Sequence, residues 1–279
     1  MKYILITGVS TGIGYEATKV FLKNGYSVFG SARKRTDADR LGIEFGDRFT
    51  PLIFDITDHQ AIERTYNHVK NVTGDTGLAG LINNAGISVN GPIEYIDMES
   101  FRYQFEVNFF GQIAVTQTFL PLLGAMKNCP FPPGRIVNIS SVSGVIPYPF
   151  MGPYCSSKFA LEAFSHCLRM ELLAYGIDVI IVGPGSIKTP IWDKVPEPRK
   201  EILESIYGNA ITKIKKRAMK TAETGIDTAV FANKLFRIFE SENPKYRYTI
   251  VKNKFINYTL PKMLVNTRLM KKYFVNMYK

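Results

Sequence analysis

Tyr3-Ile4-Leu5-Ile6-Thr7-Gly8-Val9-Ser10-Thr11-Gly12-Ile13-Gly14 is the stretch whose reading decides the architecture. A short apolar run suited to a buried strand passes directly into three glycines, and an apolar-periodic helix spanning Gly14 to Asn24 follows. Gly8 permits the tight turn. Gly12 lets a pyrophosphate come close to backbone N–H groups at the helix N-terminus, along Ser10, Thr11 and Ile13, and Gly14 allows the helix to pack closely on the sheet. The ligand such a turn takes is a dinucleotide. A bare glycine triplet is usually just a turn, so its weight comes from standing after a strand and before a helix.

Working outward, Tyr26 to Ala32, Pro51 to Phe54, Leu78 to Asn83, Arg135 to Ser140 and Ile177 to Val182 are further short apolar runs. Helical patterns lie between them at Asp58 to Val72, Met98 to Leu123 and Tyr154 to Tyr175, with another helix near Ile226 to Phe239 and a last strand at Tyr246 to Val251. This alternation predicts an α/β fold: a single-domain, doubly wound, Rossmann-type parallel sheet with helices on both faces. Right-handed crossovers then place ligands at the carboxyl ends of the strands.

With 279 residues and 46% hydrophobic content, the chain can bury a large core, and no low-complexity linker or repeat divides it. No secretory leader and no apolar stretch long enough for a spanning helix stand out. Three cysteines, Cys129, Cys155 and Cys167, cannot all pair, and a cytoplasmic location is expected. Cys155 reads as a small packing residue rather than a reactive thiol. His59, His68 and His166 lack metal-ligand spacing, so no metal site is expected. The formal charge of +11 is concentrated at one end: nine Lys or Arg and no acid lie in 243–279, and the remainder is almost neutral. That distribution, without a nucleic-acid motif, argues against nucleic acid as a partner.

The second strand ends Ser31-Ala32-Arg33-Lys34-Arg35, where an NAD site would offer an acid to the ribose 2′-OH. No acid stands there. Arg33 is placed to clasp a 2′-phosphate, which favours NADP(H), with NAD(H) as the alternative and a solvated basic loop as the plainer reading, since Asp37 and Asp39 follow. Asp55-Ile56 is placed to meet the adenine edge, or Asp55 is a helix-capping acid before Thr57 and Asp58. In Asn83-Asn84-Ala85-Gly86 two amides and two small residues let backbone pass a ribose while a side-chain amide braces the neighbouring strand; a simple turn is the alternative.

Tyr154-Cys155-Ser156-Ser157-Lys158 opens a helix, so Tyr154 and Lys158 share a face one turn apart. Free Tyr has a pKa near 10, and acid–base work near neutrality requires favouring the phenolate by roughly 3 units, about 4 kcal/mol. An ammonium about 4 Å away is expected to supply that.

Taken in order, TGxxxGIG at Thr7 to Gly14, NNAG at Asn83 to Gly86, Asn108, Ser141, YxxxK at Tyr154 to Lys158, and Pro184-Gly185 followed by Thr189 make the chain resemble the short-chain dehydrogenase/reductase family over roughly 1–190. The stretch from Tyr154 to Phe164 resembles its hydroxysteroid and retinol dehydrogenase branch. The resemblance implies a catalytic tetrad of Asn108, Ser141, Tyr154 and Lys158. Tyr154 would pass the proton, Lys158 would lower its pKa and hold the nicotinamide ribose, and Asn108 would fix a water beside the lysine. Ser141, thirteen residues before Tyr154, would hold the substrate oxygen, with Ser140 and Ser143 as rivals. It also implies that the turn from Pro184 and Gly185 holds the nicotinamide carboxamide through Ile187 backbone and the Thr189 hydroxyl. The segment 191–220 would cover a substrate.

The expected function is NAD(P)-dependent hydride transfer to or from a hydrophobic ketone or secondary alcohol, steroid-, retinoid- or lipid-like. The alternatives are a catalytically inactive dinucleotide-binding regulator and a reductase of acyl thioesters or sugars. By analogy the chain would pair into a homodimer or homotetramer through the helices Phe101 to Leu120 and Tyr154 to Tyr175. The dinucleotide-binding and catalytic domain is expected over 1–251. The basic tail 252–279 has apolar positions 264, 265, 269 and 273 on one helical face, and is expected either to pack as a substrate lid or to contact an anionic membrane surface.

Overall fold

Side-chain alternation along the first strand divides the core into two layers. In β1 (Lys2–Ile6), Ile4 and Ile6 enter one hydrophobic cluster and Leu5 enters the other, and all three are fully buried. The computed structural model describes residues 1–191, 197–265, 268 and 275. Chain order continues with α1 (Gly12–Lys23), β2 (Tyr26–Ala32), α2 (Arg35–Phe45), β3 (Phe49–Ile53), α3 (His59–Thr73), β4 (Gly80–Asn83), α4 (Met98–Phe105) and α5 (Gly111–Phe119). After these come β5 (Arg135–Ile139), α6 (Gly152–Leu172), β6 (Asp178–Pro184), α7 (Lys200–Leu203), α8 (Gly208–Thr224), α9 (Thr228–Phe239), β7 (Arg247–Ile250) and α10 (Leu260–Leu264).

All strand pairings are parallel, in the order β3-β2-β1-β4-β5-β6-β7. Phe21 of α1, Leu41 of α2, and Phe231 and Leu235 of α9 cover the face of Ile4 and Ile6; Ile62 of α3, Val115 and Phe119 of α5, and Leu172 of α6 cover the face of Leu5. This is the doubly wound α/β sheet that the sequence predicts. The winding reverses between β1 and β4, which opens a crevice above their carboxyl ends.

Two elements differ from the sequence reading. Arg35–Phe45, where a basic loop was one reading, is a helix. Only Ala38 and Leu41 of it are buried, too narrow a stripe to register as helical periodicity, and exposed Arg35–Asp39 and Arg40–Glu44 pairs line its outer surface. The stretch Met98 to Leu123, read as one helix, is broken by a π-turn at Glu106–Phe110 and ends in a 3-10 turn, Leu120–Leu123, containing Pro121. One extra residue in a turn is averaged away in a periodicity window. In the tail, the positions 269 and 273 of the expected amphipathic face lie outside the described residues.

Candidate active site

At the carboxyl end of β1, the Thr7 hydroxyl accepts hydrogen bonds from the backbone N–H of Asn84 (2.9 Å) and Ala85 (3.0 Å). The Asn84 amide in turn donates to Thr7 O (2.9 Å) and Gly8 O (3.1 Å), so the strand end on one side of the crevice is clasped to the strand end on the other. Gly8 has φ of +71°, and a Cβ there would stand 2.9 Å from Ala85 Cα. A Cβ on Gly14 would collide with Gly8 O and the Asn84 amide. These two glycines therefore let backbone lie against backbone, leaving the first N–H groups of α1 directed into the crevice, a cradle that fits the pyrophosphate of a dinucleotide. Thr11 is the N-cap residue and makes no side-chain cap bond, while the Ser10 carbonyl accepts from Arg40 (3.0 Å). The Ile13 side chain packs on the core beneath. Across from Gly12 lies Thr189: a Cβ on that glycine would be 3.4 Å from the Thr189 methyl.

Arg33 directly follows β2 and faces Asp55 at 3.8 Å. Asp55 does not cap a helix. Its Oδ1 accepts from Thr57 N (3.0 Å) and the Thr57 hydroxyl (2.9 Å), closing a local turn, and Asp58 caps α3 by accepting from Ala61 N (2.9 Å). Ile56 is buried in the second cluster, so only its backbone remains for a ligand. Arg40, which composition alone did not single out, stands at the mouth of the crevice because the unpredicted α2 carries it there. Gly86 lies close under Asn108, whose Oδ1 would be 3.2 Å from an added Cβ. After β6, Pro184 is followed by Gly185, whose N–H donates to Ile250 O (2.9 Å), and Ile187 bridges to Ile226, which brings this turn to the strand ends.

Each of the three rival serines has its own partner. The Ser140 hydroxyl donates to Glu162 (2.6 Å), Ser143 lies beside the Cys155 thiol, and Ser141 lies beside the Tyr154 phenol. Ser141 also caps the turn Val142–Gly144 by accepting from Ser143 N (3.0 Å). Burial raises the Cys155 thiol, in keeping with a packing role. Burial likewise raises the Tyr154 phenol, and the Ser141 hydrogen bond is what pulls it down. Lys158 is not among the groups lowering Tyr154, contrary to the sequence expectation. Its ammonium donates to Ile139 O (2.8 Å), and burial lowers its own pKa to about 8 against an opposing pull from Glu162.

Asn108 is fully buried in the π-turn, where its Oδ1 accepts from Ile87 N (2.8 Å) and its Nδ2 donates to Ile87 O (3.0 Å). Its Nδ2 also reaches the Ser157 hydroxyl (3.5 Å), so the side chain ties the loop after β4 to α6. Beyond it, Tyr95, Phe150 and Tyr207 form an aromatic wall with ring centroids 5.7 and 6.4 Å apart, and Arg199 donates to Tyr95 O (2.7 Å) to tie the segment before α7 to that wall. Phe150 holds a strained φ of +64° to reach it. Residues 192–196 of the expected substrate cover lie outside the described residues.

A family model described as short chain dehydrogenase matches residues 2–200. Over 274 residues the chain is 37% identical to an NADPH-dependent 3-dehydrocapnine reductase of Ornithobacterium rhinotracheale, covering 98% of this chain and 96% of that protein. It is 35% identical over 258 residues to a 3-amino-tetrahydro-pyrrolizinone reductase of Xenorhabdus hominickii, covering 89% and 86%. The crystal structure of a short-chain dehydrogenase from Streptomyces avermitilis superposes with a TM-score of 0.78 at 25% identity, over 99% of this chain and 98% of that one.

The depressed pKa of Lys158 has a measurable consequence. Below pH 8 the amine is protonated in both folded and unfolded chains, so the full cost of burying it is present. Between pH 8 and 10.5 the unfolded chain holds a proton that the folded one has lost, and stability gains about 1.4 kcal/mol per pH unit. Urea unfolding of wild type and Lys158→Met should therefore show the variant gaining on wild type at pH 7 and the gap closing as pH approaches 10.5. A gap independent of pH would contradict this account.

Proposed function

Because the chain belongs to the short-chain dehydrogenase/reductase family, we propose that it is an NADPH-dependent carbonyl reductase acting on a ketone of a hydrophobic, lipid-like substrate. The observation that carries this reading is the placement of Ser141, just past the carboxyl end of β5, beside the Tyr154 phenol, with Lys158 buried one turn further along α6. NADPH, when bound, supplies the hydride. Ser141 holds the carbonyl oxygen, and Tyr154 delivers a proton to it, so that ketone, NADPH and one proton become secondary alcohol and NADP⁺. A phenol kept protonated by burial suits the donor role in reduction. Lys158 holds the ribose. The π-turn around Asn108 places a backbone off the ordinary helical pattern, where a water beside Lys158 returns the proton.

Arg33 and the absence of an acid at the end of β2 support NADPH over NADH, as does the NADPH dependence in the name of the relative that spans nearly the whole chain. In this reading Arg33 exchanges Asp55 for the 2′-phosphate, a charge-assisted contact. The aromatic wall of Tyr95, Phe150 and Tyr207 supports an apolar substrate, covered by the segment 191–220. Tyr103 and Phe110 around α4 and α5, and Phe159 on α6, are exposed aromatics that support pairing of two or four copies through these helices.

Among the described residues no helix is long and apolar enough to cross a membrane. After β7, however, a turn at Phe255–Thr259 and α10 expose Phe255, Ile256, Leu260 and Met263 beside Lys252, Lys254 and Lys262. This segment contacts an anionic membrane surface peripherally, close to a lipophilic substrate.

Tyr154→Phe should lower kcat by 10² to 10⁴-fold while leaving NADPH binding, followed by fluorescence titration, within about threefold of wild type. Retention of more than about a hundredth of the rate would remove Tyr154 from the proton transfer. Arg33→Asp should reduce the ratio of kcat/KM for NADPH over NADH by about ten- to a hundredfold. An unchanged ratio, or a wild type that already prefers NADH, would show that Arg33 does not read the phosphate. Flotation with vesicles containing phosphatidylserine at low salt should carry the wild type but not Phe255→Ser/Ile256→Ser/Met263→Ser. Equal flotation of both proteins, or of neither, would rule out this membrane face.

A further inference from the structure

A second charged cluster is built into the back of the site. Glu162 stands one turn beyond Lys158 and two beyond Tyr154 on α6, so all three share a helix face. Its carboxylate is buried, as is most of Arg247 from β7, with side-chain exposures of 8% and 11%. Arg247 grips it with two bonds, Nε to Oε2 (2.8 Å) and Nη2 to Oε1 (3.1 Å), while the Ser140 hydroxyl donates to Oε1. The same guanidinium reaches the Ser141 carbonyl through Nη2 (3.5 Å) and the Tyr258 hydroxyl through Nη1 (3.3 Å), lying 5.7 Å from the Tyr258 ring. Two glycines make room for the pair. A Cβ on Gly144 would come 2.9 Å from Glu162 Cγ, and one on Gly183 would come 2.7 Å from Arg247 Nη2.

We propose that Glu162 and Arg247 are positioning residues for the reductase reaction: their bidentate pair holds the Ser140-Ser141 turn against Tyr154, with Glu162 one helical turn from Lys158. The proposal rests on the catalytic reading above. A buried ion pair is a poor source of stability, since desolvation offsets most of its attraction, so its role here is specificity of placement. The pair touches both neighbouring serines, and Ser141 is the one that meets the phenol. The charged and titratable groups facing Glu162 are Lys158 on its own helix, Arg247 on β7, and Tyr258 behind Arg247. The carboxylate raises Lys158 against the effect of burial, so it keeps the ammonium protonated around neutral pH.

The test reads Lys158 directly. In protein carrying isotope-labelled lysine, with the Lys158 resonance assigned by its loss in Lys158→Met, Glu162→Gln should move the titration to lower pH by about one unit, because an attractive charge is removed. With NADPH and a long-chain methyl ketone, the same variant should lose at least about tenfold in kcat with KM for NADPH unchanged, and the alkaline limb of its pH profile should move the same way. Removing one partner of a buried pair can unfold the chain, so Glu162→Met/Arg247→Met, which removes both charges together, is the second variant. It should fold by circular dichroism and show the same loss in kcat. An unmoved Lys158 titration in folded Glu162→Gln, or a folded double variant with wild-type kcat, overturns the proposal. Failure of wild type to reduce any ketone would instead count against the catalytic reading, and the resonance titration would still decide whether Glu162 sets the charge of Lys158.

Discussion

The clasp between Thr7 and Asn84 is the constraint from which the rest of the site follows. It ties the carboxyl ends of β1 and β4, the two strands between which the sheet reverses its winding. With those ends joined, there is no room for a Cβ at Gly8 in the loop after β1 or at Gly14 in the first turn of α1, and α1 must begin pointing into the crevice. Buried polar groups behind the clasp keep the central strands in register. Asn83 donates to Thr116 (2.8 Å) and to Asn138 (2.9 Å), and Asn138 donates to Ser165 (2.8 Å). These bonds tie β4 to β5 and to the helices α5 and α6 behind them, while the buried Asn83 Oδ1 takes no partner among the described residues.

On the other side of the crevice the decisive quantity is desolvation. Burial pushes Tyr154 up and Lys158 down, so both groups are driven toward their neutral forms. A hydroxyl from Ser141 lowers the first, and the Glu162 carboxylate raises the second. The site thus holds a proton donor and an ammonium through specific partners. Perturbed titrating groups in a cleft, beside a loop shaped for phosphate, are what acid–base chemistry on a bound dinucleotide requires.

Further out, the elements that differ most from the sequence reading carry the peripheral contacts. The helix α2 brings Arg40 to the carbonyl of Ser10, and the π-turn between α4 and α5 buries Asn108 against Ile87. Neither element is strongly amphipathic in the ordinary period, because each is shaped by what it packs against. The same holds for the aromatic wall, whose members Tyr95, Phe150 and Tyr207 come from three separated segments.

The sequence by itself determined the alternation of strands and helices, the dinucleotide-type turn at Gly8, Gly12 and Gly14, and the sharing of a helix face by Tyr154 and Lys158. These are local properties, set by periodicity, by glycine's freedom and by the length of a helical turn. The spacing to Tyr154 singles out Ser141 over Ser140 and Ser143, while only the tertiary structure decided what stands opposite each of the three. It also decided that Asp58 rather than Asp55 caps α3, and that Lys158 turns its ammonium to the Ile139 carbonyl. The pairing of Glu162 with Arg247 spans 85 residues and was not legible in either neighbourhood. Such choices depend on desolvation and on partners brought together by the sheet, and those forces exist only once the chain has folded.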